Sequence, residues 1–100
     1  MIAKTIPVVC SLTSEELRER RNALLRKAGE SLQETLERAD GFAFRFPPER
    51  FDELAQIVSL ERRCCAFLRF TLSVEPGDGP IWLEVTGPEE AKAFIGSLWS

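Results

Sequence analysis

Two stretches of strict alternation constrain this chain more than anything else in it. Phe42, Phe44 and Phe46 alternate with Ala43 and Arg45; Leu68, Phe70, Leu72 and Val74 alternate with Arg69, Thr71 and Ser73, and Ile81, Leu83 and Val85 resume the pattern. Apolar residues at every second position mark a strand with one buried side. Pro76-Gly77-Asp78-Gly79-Pro80 breaks the second stretch in the middle, so it reads as a hairpin. Asp40-Gly41, a favoured hairpin turn, precedes the first. Leu32 and Leu36 fit a helix face as well as one side of a strand, and the turn decides for a strand over about 32–38.

Helices occupy the spaces between. Thr13-Ser14-Glu15-Glu16 is a capping box, and Leu12 with Leu17 has the spacing of a hydrophobic staple. The helix that follows, over about 14–28, buries Leu17, Leu24, Leu25 and Ala28 and stops at Gly29. Its charged residues read as a solvated surface. Pro48 and Glu49 open a second helix, in which Phe51, Leu54, Ile57, Val58, Glu61, Cys64 and Cys65 recur at helical spacing to about residue 66. Gly87-Pro88-Glu89-Glu90 starts a last one, burying Ala91, Phe94, Ile95 and Leu98. Upstream of all these, Ile6, Val8, Cys10 and Leu12 alternate with Pro7, Val9 and Ser11, a short edge strand. The chain order is β-α-β-β-α-β-β-α. An α+β fold is expected: one domain over residues 1–100, an antiparallel sheet of four to five strands, and three helices on one of its faces. Its open face should show Thr35, Glu37, Arg45, Arg69, Thr71, Trp82 and Glu84.

Composition sets limits on function. In 100 residues, 44% hydrophobic, there is room for one core and no second domain. Sixteen acidic and 13 basic side chains are interleaved to a net charge of −3, which argues against a nucleic-acid partner. The longest apolar run, Cys64 to Leu68, is far short of a membrane span, and no membrane partner is expected. The first residues lack an export pattern, which predicts a cytoplasmic protein whose three cysteines are reduced thiols. There is no histidine and no tyrosine, so Ser-His and Cys-His nucleophile pairs are excluded and the commonest metal ligand is missing.

The chemistry therefore concentrates in Glu61-Arg62-Arg63-Cys64-Cys65-Ala66-Phe67-Leu68. Glu61 lies three and four positions before the thiols and shares a helical face with them. A carboxylate on that apolar face needs a partner, for which Arg45, Arg69 or a strand amide is the expectation. Adjacent helical residues diverge by about 100°, so the two sulfurs converge only if the helix ends there. Cys10 on the inward side of the first strand would bring a third sulfur if that strand passes the helix end. Phe67, at the helix-to-strand corner, is placed to cover the thiols. The segment is accompanied by Cys10-x-Leu12-Thr13, Gly41-Phe42-x-Phe44-Arg45-Phe46-Pro47 and Trp82-Leu83-x-Val85-Thr86-Gly87-Pro88. In these elements the chain resembles a group of small bacterial proteins carrying Glu-x-x-Cys-Cys-x-Phe. The resemblance implies one bacterial cytosolic domain and brings no reaction with it.

Two functions compete. In one, Cys10, Glu61, Cys64 and Cys65 bind a soft metal or metalloid ion; three sulfurs without histidine favour mercury or trivalent arsenic, or zinc with Glu61 as the fourth ligand. In the other, the cysteines pack as small hydrophobes in a non-catalytic module that binds a small ligand or forms a homodimer through the sheet face around Trp82. A thiol enzyme ranks below both, because Arg62 and Arg63 would lower a thiol pKa while the negative end of the helix would raise it.

Overall fold

A computed structural model describes residues 15–99. The expected first strand with Cys10 and the Thr13 cap lies outside the described residues. The chain forms α1 (Glu15–Gly29), β1 (Glu34–Arg38), β2 (Gly41–Phe46), α2 (Phe51–Cys64), β3 (Arg69–Val74), β4 (Ile81–Thr86) and α3 (Lys92–Gly96). Single 3₁₀ turns at Pro48–Arg50 and Glu89–Ala91 lead into α2 and α3. The architecture is α+β, a four-stranded antiparallel sheet with three helices among the described residues.

Both alternating stretches are strands because each has a face to bury. The strands lie in the order β1-β2-β4-β3, so the two most apolar ones, β2 and β4, are central and the hairpins join along them. Phe42, Phe44 and Phe46 stand opposite Val85, Leu83 and Ile81, and Phe70 and Leu72 complete that face. The helices contribute Leu25 and Ala28, Leu54 and Ile57, and Ile95 to the same core cluster. Phe44, Phe46, Leu54, Ile81 and Leu83 are almost free of solvent, each a burial worth about 1.5–3 kcal/mol. Trp99, just beyond α3, lies edge-on to Phe44 and Phe46 at 4.7 and 5.1 Å and donates its indole N–H to the Leu25 carbonyl at 2.8 Å.

The register of the first hairpin corrects one expectation. The turn residues are Ala39 and Asp40, with Arg38 paired to Gly41. Any two-residue turn places odd residues of β1 opposite even residues of β2. Thr35 and Glu37 therefore share the side of Phe44 and Phe42, while Glu34, Leu36 and Arg38 join the open face. Two polar residues are tolerated on the core side because β1 is an edge strand, where Lys92 reaches Glu37 at 2.7 Å. On the open face Arg38 pairs with Glu84, Arg45 pairs with Glu34, and the Arg45 guanidinium lies over Trp82 at 5.9 Å. Two further expectations shorten: α2 ends at Cys64, and α3 is a five-residue helix. Phe51, at the first position of α2, is 42% exposed and not part of the core.

Candidate functional site

The candidate site forms where α2 ends. Asp52 and Glu53 sit in the first turn of α2 and Arg62 and Arg63 in its last, in accord with the helix dipole. Leu54, Ile57, Leu60, Glu61 and Cys64 are its buried residues, so Glu61 occupies the apolar stripe as a charged side chain with no solvent exposure. A carboxylate there is costly unless an opposite charge meets it with hydrogen bonds. That charge is Arg21 of α1, which packs on α2. Its Nε donates to Oε1 of Glu61 and its Nη2 to Oε2 at 3.4 Å, the two-pronged grip that suits a guanidinium to a carboxylate.

Neither Arg45 nor Arg69 is the partner, because strand parity sends both to the open face with Trp82 and Glu84. The signal for Arg21 was present in the sequence: it lies four residues after Leu17 and four before Leu25, an arginine inside an apolar stripe. Two helices, each with one stripe broken by an opposite charge, are suited to pack with those charges together. Arg21 also lines a cleft of about 780 Å³ with Asn22, Arg26, Phe94 and Trp99, so its guanidinium connects the buried carboxylate to an open surface.

The sulfurs converge because the helix stops. Cys65 leaves helical geometry at φ −121° and ψ 73°, while its N–H still donates to the Glu61 carbonyl at 2.6 Å. With that rotation the Sγ atoms of Cys64 and Cys65 lie 3.5 Å apart, and Cys65 Sγ donates to Glu61 Oε2 at 3.5 Å. Both cysteines are buried. Burial, and then the neighbouring Glu61 charge, push the Cys65 thiol up to about 12, with Arg21 pulling weakly the other way. Phe67 is buried at the corner and stacks edge-on to Phe94 at 6.0 Å.

One expectation about redox state is overturned. Cys65 is a free thiol, whereas Cys64 is disulfide-bonded. Three reduced thiols followed only from the lack of an export pattern, and compartment does not fix the state of an individual sulfur. Among the described residues no group of three or more His, Cys, Asp or Glu is placed to hold a metal ion. With the Cys64 sulfur committed to a disulfide, Cys65 and Glu61 are the donors left at this end of α2; Cys10 lies outside the described residues. No helix among the described residues is long and apolar enough to cross a membrane. No protein-family model, curated protein or solved structure matches the chain.

Proposed function

We propose that the reduced protein binds one soft metal or metalloid ion through Cys10, Cys64 and Cys65, with Glu61 as a further ligand or as the base that orients the thiols. The observation that carries this reading is the 3.5 Å approach of two sulfurs at the end of α2, beside a fully buried carboxylate. Thiolates select soft ions, and the absence of histidine directs the choice to trivalent arsenic or mercury at three sulfurs, or zinc if Glu61 completes four. Binding must expel thiol protons. Glu61, already hydrogen-bonded to Cys65, is the acceptor nearest to hand, and Arg21 keeps it oriented.

Colorimetric thiol titration of the reduced native protein, with and without one equivalent of arsenite, mercuric ion or zinc, tests this. One equivalent of one ion should protect the thiols together, and Cys10→Ser should weaken protection far more than it lowers the stability of the ion-free protein. Thiols that react only after unfolding, with no ion changing stability, would make them packing residues. For the competing homodimer the open face offers little, since Arg38 and Arg45 are already paired with Glu84 and Glu34 and Arg45 partly covers Trp82. Trp82→Glu should leave the mass in sedimentation equilibrium unchanged; a fall to half would restore the sheet face as an interface.

A further inference from the structure

We propose that the outer edge of β3 joins a second copy of this chain, in a two-fold antiparallel pairing centred on Leu72 that makes one continuous sheet of the two. The inference is independent of the ion-binding reading above. Among the described residues β3 ends the sheet, with β4 on one side and no strand on the other. An open edge is a template for another strand unless charge, proline or a bulge blunts it. The opposite edge is blunted: Glu34, Glu37 and Arg38 are three of the five residues of β1. By contrast, Phe70, Thr71, Leu72, Ser73 and Val74 run uncharged through β3, which pairs with β4 without a bulge and leaves Val74 61% exposed.

Backbone and side chains select the same register. Glu75 donates its N–H to the Pro80 carbonyl at 3.3 Å, so the odd-numbered residues of β3 direct their N–H and C=O groups to β4, and Phe70, Leu72 and Val74 direct theirs outward. Two copies related by a two-fold axis must then match even residues with even, which puts the axis on a residue. With the axis at Leu72, Phe70 exchanges both hydrogen bonds with Val74 of the second copy, and Leu72 does so with its own equivalent. Arg69 falls opposite Glu75 of the second copy at both ends of the pairing, and Thr71 opposite Ser73. An axis at Thr71 or Ser73 separates those charges, because Arg69 then faces Ser73 or Gly77. Neither Arg69 nor Glu75 has an ion-pair partner among the described residues. Phe70 also lines a cleft of about 450 Å³ with Val58, Leu68, Arg62 and Arg69, apolar and basic. The segment that this register brings to it is Val74-Glu75, apolar and then acidic. Residues 1–14, the competing occupant of the edge, contain no acid to meet Arg69.

Sedimentation equilibrium of the full chain, in dithiothreitol to remove any disulfide between chains, should give twice 11.3 kDa. Val74→Lys puts a charge into the pairing and should raise the dimer Kd by about tenfold or more, as lysine on an edge strand opposes strand addition. Arg69→Glu and Glu75→Arg each set like charges opposite one another at both ends, and each should raise Kd roughly tenfold. Combining these two exchanges the charges and restores both pairs, so the double variant should return to within about threefold of the unchanged protein. That rescue separates an interface from damage to the fold, and Arg69, Val74 and Glu75 are all exposed in the single chain. Trp82→Glu should leave this dimer intact. A monomer at every concentration would overturn the proposal and leave the edge of β3 to residues 1–14 or to a different protein. So would a dimer indifferent to the three single changes, a double variant no tighter than its parents, or a dimer that Trp82→Glu dissociates.

Discussion

Glu61 reaches no water, and its charge is tolerated because Arg21 grips both carboxylate oxygens. Removing the arginine strands a buried charge, so Arg21→Ala should lose about 3–5 kcal/mol in urea denaturation. Arg21→Lys should recover only part, since an ammonium cannot reproduce the two-pronged contact. A loss below about 1 kcal/mol would mean that the pair contributes no more than an exposed one. Cys65 makes a second prediction. Its folded thiol keeps its proton to about 12, against an ordinary 9.0. Below pH 9.0 both states hold the proton and stability is unaffected; above it the unfolded chain ionises first, so stability falls as pH rises toward 12. The stability difference between the protein and Cys65→Ala should shrink across that window, and iodoacetamide should alkylate the native thiol only slowly at pH 8. At this scale Glu61 and the two cysteines were legible as interruptions of an apolar stripe. The partner was not, because the spacing that puts Arg21 in the stripe of α1 does not say which element that stripe will meet.

The elements are held by local pattern and by two glycines with different duties. Gly41 opens β2 against β4, and a Cβ there would run into the Val85 carbonyl oxygen. Gly41→Ala should therefore cost about 1–3 kcal/mol or more, as overpacking against an unyielding backbone does. Gly77, in the β3–β4 turn at φ 64°, has open space around it. Gly77→Ala should cost about 1 kcal/mol from conformation alone and Gly77→Asn less, an ordering that thermal denaturation can check. Alternation located β2, β3 and β4 to within a residue or two of their ends, since the pleat imposes its period on any strand with one wet side. Burial at helix ends was less legible. Phe51 fits the helical period and still lies exposed, because it begins α2 and reaches past the edge of the core.

For the molecule as a whole, Trp99 ties the end of the chain to both layers, stacking on the Phe44 and Phe46 rings while its N–H reaches α1. Trp99→Phe should lose about 1 kcal/mol for the hydrogen bond. Trp99→Ala should lose about 3–5 kcal/mol as the aromatic cluster opens. Equal effects from the two would show that the indole N–H contributes nothing beyond the ring. The kind of each element among the described residues, the α+β class and the crowding of chemistry at the end of α2 were determined by the sequence alone, because strand and helix periods are local properties of the backbone. The strand order β1-β2-β4-β3, the meeting of Arg21 with Glu61 across 40 residues, and the approach of two adjacent sulfurs were decided only by the tertiary structure. Each depends on which elements become neighbours and on one backbone rotation at Cys65, and no periodicity along the chain encodes either.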